Sequence, residues 1–135
     1  MAENSNLGGE KNLPTVEELK PVIELELLAR HRGQGRRVEK WLFVETVCRV
    51  SIPEAERNNN NVYERRVRQA ISEMRKDGKL ICSDTAGGYW WATSIEDVLV
   101  MSKGLRDRAK DLLVTARRLR VEGKQQFGGQ LRMKI

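Results

Sequence analysis

Between Val62 and Lys76 the chain places Val67, Ala70, Ile71 and Met74 at i, i+3, i+4 and i+7, the spacing of one apolar helical face. Stepping about 100° per residue from Val67 puts Arg65, Gln69, Ser72 and Lys76 on the opposite face, with Arg66 and Arg68 flanking it. The pattern predicts a helix with one side in a core and the other presenting guanidinium, amide and hydroxyl donors. Asn60 or Asn61 is suited to cap its start, and Asp77-Gly78 to stop it, glycine being free to take the left-handed conformation past a helix end. Leu80, Ile81 and Cys82 then form a short apolar run, Asp84 to Gly88 carries turn residues, and Tyr89-Trp90-Trp91 reads as a second strand. Alternation puts Tyr89 and Trp91 on one face of that strand and Trp90 on the other.

The rest of the chain follows the same reasoning. Residues 1–13 are polar and without period, which predicts a disordered lead-in. Thr15 and Glu18 match a capping box, and Leu19, Val22, Ile23 and Leu27 continue with helical spacing to about Arg30. Pro21 either kinks that helix or marks its start, and Gly33-Gln34-Gly35 ends it. Arg36 to Trp41 is read as a short strand leading into a helix over about Leu42 to Arg49. Trp41, Val44 and Cys48 would face the core there, with Leu42 and Val47 beside them, although WLFV has no decisive period. Ser51-Ile52-Pro53-Glu54 is a second possible capping box.

After the aromatic strand, Thr93-Ser94 offers an N-cap and a long helix runs to about Gln126. Val98, Leu105, Ala109, Leu112, Ala116 and Leu119 fall on alternating three- and four-residue steps, with Ser102 in the one missing position. A helix of roughly 30 residues, about 45 Å long, exceeds what a small core requires. Its seam either pairs with a twin in a homodimer or folds back across the first helix. Two glycines, Gly128 and Gly129, are expected to cut the helix and free a tail over 128–135. The chain therefore reads as mainly α with a small β-hairpin, in a core domain over 14–93 followed by a helix over 94–127.

Residues 58–92 resemble the winged helix-turn-helix superfamily. The resemblance rests on Arg65-Arg66-Val67-Arg68, Ile71, Met74-Arg75 and Gly78 in the helix, and on Leu80 to Ser83 with Gly87-Gly88-Tyr89 in the hairpin. It implies that the helix enters the major groove of double-stranded DNA while the hairpin acts as a wing. Arg65, Arg66 and Gln69 would then read base edges, and Arg68, Ser72 and Lys76 would contact phosphates or edges. Lys79, Thr85 and the wing tip would touch the backbone or minor groove, with Asn61 and Tyr63 at the start of the helix completing the surface. Winged helices also serve as protein-docking modules, so the fold alone does not assign the partner.

Charge strengthens the nucleic-acid expectation. The 135 residues carry a formal net charge of +6, unevenly distributed. Residues 1–30 hold six glutamates against three Lys/Arg, whereas residues 61–79 hold six Lys/Arg against three acids and residues 103–124 hold eight against three. A basic middle and C-terminal half suits a polyanion. On the long helix, Arg106, Arg108, Lys110, Arg117, Arg118, Arg120 and Lys124 either reach phosphates or pair with Asp107, Asp111 and Glu122. No long apolar run accompanies the charge, so a membrane is not the expected partner.

The last six residues, Gln130-Leu131-Arg132-Met133-Lys134-Ile135, resemble the hexameric bacterial sliding-clamp-binding motif. The resemblance makes Gln130 the hydrogen-bonding anchor and Leu131, Met133 and Ile135 the apolar contributors. Cys48 and Cys82 sit in apolar patterns and no secretory signal opens the chain, so reduced thiols in a cytoplasmic, nucleoid-associated protein are expected. Two cysteines and one histidine do not make an ordinary four-ligand zinc site, and no cofactor fingerprint or nucleophile elbow is present. His31, beside Arg30 and Arg32, reads as a charge at a helix end rather than a catalytic base. The expectation is a non-enzymatic DNA-binding dimer serving prokaryotic or phage transcription, replication or mobile elements. The alternative is an adaptor that docks on a replication component such as the clamp.

Overall fold

The computed structural model describes residues 13–134, with side chains through Gly129. The chain is mainly helical: α1 (Val16–Arg30), β1 (Val38–Glu39), α2 (Lys40–Cys48), α3 (Val62–Lys76), β2 (Ile81–Ser83), β3 (Gly88–Trp91) and α4 (Ile95–Lys134), with single 3₁₀ turns at Gln34–Arg36 and Glu54–Glu56. It divides into two units after Val98, so α4 begins in the first and makes up the second.

Local chemistry sets most boundaries of the first unit. Thr15 and Glu18 form a reciprocal capping box, with Glu18 N donating to Thr15 Oγ1 at 3.0 Å and Thr15 N to Glu18 Oε1 at 2.9 Å. Pro21 lies inside α1 and does not interrupt it. His31 closes the helix, its two ring nitrogens within hydrogen-bond distance of Arg36 O and Glu26 Oε2. At α3, Asn61 Oδ1 accepts from Tyr63 N and Glu64 N, and its amide donates to Glu56 O. The far end of α3 is a Schellman motif: Gly78 N reaches Arg75 O, Lys79 N reaches Met74 O, and Gly78 takes a φ of 91° that side-chain-bearing residues resist.

The strands form one antiparallel sheet in the order β1-β3-β2, with Val38 opposite Tyr89 and Cys82 opposite Trp90. Beyond β1 the same edge of β3 is taken by the segment after α1, where Gly33 N donates to Trp91 O and Trp91 N to His31 O, both at 2.8 Å. Tyr89 and Trp91 both pack on the helical core, sharing one face as the alternation predicts, with the Tyr89 ring 5.4 Å from that of Phe43. On the opposite face Trp90 and Cys82 are also buried, with Cys82 Sγ 3.9 Å from Asp97 O at the start of α4.

The core gathers Leu19, Ile23 and Leu27 from α1, Phe43, Val44, Val47 and Cys48 from α2, and Val67, Ala70, Ile71 and Met74 from α3. Several expectations are corrected here. Val22 and Leu42 are exposed, and Trp41 is only partly buried, while Phe43 has no exposed surface. The helix starts at Lys40 rather than Leu42, where the Glu39 carboxylate caps it by accepting from Trp41 N and Leu42 N, and its buried side is Phe43, Val44, Val47 and Cys48. Ser51 caps nothing, since the 3₁₀ turn begins after Pro53 without a side-chain cap. Instead Glu45 accepts from Ile52 N and Arg57, which also donates to Ile52 O.

Ser94 caps α4 as expected, accepting from Asp97 N at 3.2 Å. The long helix breaks beside the glycine pair, at the position expected, and a second helical stretch follows. Helical geometry breaks at Phe127 (φ −127°, ψ 26°), directly before Gly128, and resumes to Lys134. The tail is thus helical in backbone rather than extended. The side chains of Gln130, Leu131 and Met133, and Ile135 altogether, lie outside the described residues, as does the expected lead-in before Leu13. Replacing Phe43 with alanine should destabilise the first unit by about 3–5 kcal/mol in chemical denaturation, whereas Leu42→Ala should change it by under about 0.5 kcal/mol.

Candidate functional site

Because α3 buries the stripe Val67-Ala70-Ile71-Met74 against α1 and α2, its other side is turned to solvent. Arg65, Arg68, Gln69, Ser72 and Lys76 are all exposed on that side. Two hollows flank the N-terminal half of the helix. One, of about 650 Å³, lies between α3 and the β2–β3 turn and is lined by Lys40, Asn59, Asn60, Glu64, Arg65, Arg68, Ser83, Asp84, Thr85, Gly87 and Tyr89. The other, of similar volume, is lined by Leu13, Val62, Arg65, Arg66, Arg68 and Gln69. Arg65 and Arg68 border both.

The inner hollow is organised by a buried carboxylate. Glu64 is 3% exposed and accepts two hydrogen bonds from Arg68, at 3.1 Å from Nε and 2.8 Å from Nη2. Lys40 Nζ stands 3.7 Å from the same group. That bidentate pair orients the Arg68 guanidinium and holds its pKa further above the usual value. Burial, and then the Glu64 charge, raise the pKa of the Tyr89 phenol, which stays neutral. Across the hollow, Asp84 fastens the hairpin turn: its Oδ1 accepts from Gly88 N at 2.9 Å and its Oδ2 lies 3.3 Å from Arg37 Nε. Gly87, with a φ of 90°, completes that turn. The lining therefore sets three cations, Lys40, Arg65 and Arg68, against two carboxylates, Glu64 and Asp84.

The residues singled out in the sequence separate into groups. Arg65, Arg68 and Thr85 come together at the inner hollow, and Gln69 joins Arg65 at the outer one. Ser72 and Lys76 continue the exposed stripe but line neither hollow. Arg65 has no hydrogen-bond or ion-pair partner among the described residues. Arg66 also borders the outer hollow, but its Nη1 donates to Pro14 O at 2.9 Å, tying α3 to the segment just before α1. Lys79 is also elsewhere, 3.3 Å from Glu24 of α1 rather than beside the turn. Asn61 spends its side chain on the helix cap, and Tyr63 packs partly buried against the core. Sequence reasoning misses Lys40, Asn59 and Asn60 as lining residues. The asparagine run is legible only as a connector and cap, and Lys40 only as part of a short strand.

The two cysteines are buried free thiols. Burial raises the Cys48 thiol to about 11 and also raises Cys82, so both are protonated and unreactive near neutral pH. Among the described residues no group of three His, Cys, Asp or Glu could hold a metal ion, and no helix is long and apolar enough to cross a membrane. On α4, Lys103 pairs with Asp107 at 2.9 Å and Arg118 with Glu122 at 3.3 Å. The expected dimer-seam residues Leu105, Ala109, Leu112, Ala116 and Leu119 are exposed along the same helix, while Val98 at its start is half-buried.

Removing Arg68 leaves the Glu64 carboxylate with Lys40 alone, so Arg68→Ala should destabilise the fold by about 1–2 kcal/mol. Arg65→Ala should fall within about 0.5 kcal/mol of the parent protein, and urea denaturation of both variants checks the contrast. Compared with known protein families, curated proteins and solved structures, the chain has no match.

Proposed function

We propose that this chain is a double-stranded DNA-binding protein of the winged-helix type, with α3 as the helix that enters the major groove. The observation that carries the reading is the exposed stripe Arg65, Gln69, Ser72 and Lys76. It lies on a helix locked by its opposite face and sits beside a cationic hollow bounded by a hairpin turn. A helix with side chains is about 10–12 Å across, and the major groove about 12 Å wide. Arginine and glutamine make the bidentate contacts that distinguish guanine and adenine edges. The Glu64–Arg68 pair and Lys40 present oriented donors for a phosphate, and Asn59, Asn60 and Thr85 add neutral donors around them. The hairpin turn acts as the wing.

In this reading α4 joins two copies through the seam that carries its exposed leucines. Arg106, Lys110, Arg117, Arg120 and Lys124, which form no ion pair among the described residues, add a basic flank. Work on DNA by a dimer of this kind belongs to transcription control, or to accessory roles in replication or mobile elements, with the protein on the nucleoid.

Fluorescence anisotropy with duplex DNA at two salt concentrations tests the reading. Micromolar binding is expected at low salt, with log affinity falling by about 0.9 per phosphate contacted for each unit of log salt. On a selected preferred site, Arg65→Ala with Gln69→Ala should weaken binding by about 1–3 kcal/mol for each bidentate base pairing removed. No binding at low salt would sink the DNA reading, and an unchanged constant in the double variant would remove α3 from the interface.

A further inference from the structure

The open seam of α4 has a size pattern. Val98, Leu105, Leu112 and Leu119 recur at every seventh residue, and Leu112 is 70% exposed and Leu119 69%. The alternating positions between and after them, Ser102, Ala109, Ala116 and Gly123, recur at the same interval and are all small. Large and small side chains thus take turns along one helical edge in the three- and four-residue steps of a two-helix seam.

That alternation discriminates between orientations. In a parallel pair each position meets its own counterpart. Leucine layers would then hold the axes apart, while the Ala109 and Ala116 layers between them would be left as gaps without van der Waals partners. In an antiparallel pair centred between Lys110 and Asp111, Val98 of one copy faces Gly123 of the other, and Ser102 faces Leu119. Leu105 likewise faces Ala116, and Ala109 faces Leu112. Every layer then joins one large and one small residue.

Charge agrees with this arrangement. Arg108 and Asp111 have no ion-pair partner among the described residues and lie on the same flank of the seam. Antiparallel pairing brings Arg108 of one copy to within about one helical turn of Asp111 of the other, and does so twice by symmetry. The area lies near the lower end of what a small dimer buries. From Val98 to Gly123 the seam runs about 38 Å, and a strip about 10 Å wide on each copy gives on the order of 800 Å² in projection. Accessible area exceeds projection, which approaches the ~1,200 Å² of small stable interfaces.

We infer that α4 pairs antiparallel with α4 of a second copy of this chain, centred between Lys110 and Asp111. This deepens the dimer of the preceding subsection and is independent of DNA binding. The two points at which the chain passes Val98 then lie about 37 Å apart along the pair axis.

The test is Ala109→Leu with Ala116→Leu in the full-length chain, followed by sedimentation equilibrium without DNA. Both residue types favour helix, so α4 is retained. Antiparallel pairing sets the new leucines over Leu112 and Leu105, and the dimer dissociation constant should rise about tenfold or more. A dimer that is unchanged or tighter would overturn the orientation, since leucines would fill the gaps of a parallel pair. A parent chain that stays monomeric at a few hundred micromolar would overturn the pairing itself while leaving the DNA-binding proposal standing. A spin label on Lys124→Cys gives a second readout, with Cys48 and Cys82 buried out of its way. The two labels should lie about 40 Å apart along the axis, whereas a separation under about 20 Å would contradict the antiparallel arrangement.

Discussion

The first unit depends on one constraint, the burial of a single face of α3. Val67, Ala70, Ile71 and Met74 are almost wholly removed from solvent against α1 and α2. Burying a side chain of Val, Ile or Met size contributes about 1.5–3 kcal/mol each. No rotation of the helix keeps those residues covered and also hides Arg65, Gln69, Ser72 and Lys76. The donor face is therefore a consequence of the core. Arg75 locks the same helix to the sheet, donating to Ile81 O at 2.8 Å and Ser83 Oγ at 3.1 Å. The Asn61 cap and the Gly78 stop leave little freedom at either end. A helix held on three sides suits recognition, since little ordering remains to be done on binding.

Electrostatics near α3 are a matter of margins. Glu64 is a buried acid in a site read as anion-binding, and it would oppose that role were it unpaired. Arg68 and Lys40 neutralise it and leave a net positive lining, with Arg65 uncommitted. Asp84 is offset in the same way by Arg37, which also packs over Gly88 where a side chain would collide with it. The acids shape the surface by orienting cations, and in the proposed complex Arg65 and its neighbours on α3 would supply the attraction.

Much of this is legible in the sequence because it is local. The bounds of α3, its buried stripe, its asparagine cap and its glycine stop follow from periodicity and from capping chemistry within four residues. Ser94 at the head of α4 and the capping box at Thr15 are of the same kind. What stays hidden depends on partners far along the chain or on phase. Arg66 has the spacing of a base reader, yet Pro14, distant in sequence, claims its guanidinium, and Lys79 is likewise claimed by Glu24. WLFV carries no period, so the inward turn of Phe43 is decided by packing against α1, α3 and the sheet rather than by local pattern. Glu64 stands at the edge of the apolar stripe, and its burial follows from Lys40 and Arg68 closing over it. Gly128-Gly129 marks the break in α4 without revealing that a second helical stretch follows it.

If the exposed face of α3 and the adjoining hairpin turn meet duplex DNA, their own amides must report it. Backbone amide NMR of the full chain, titrated with a short duplex, reads those positions one by one. The expected result is a set of shifts concentrated at Arg65, Arg68, Gln69 and Ser72, and across residues 84–87, while the amides of α1 stay in place. Shifts confined to residues 99–129, or absent altogether at low salt, would contradict DNA recognition by α3.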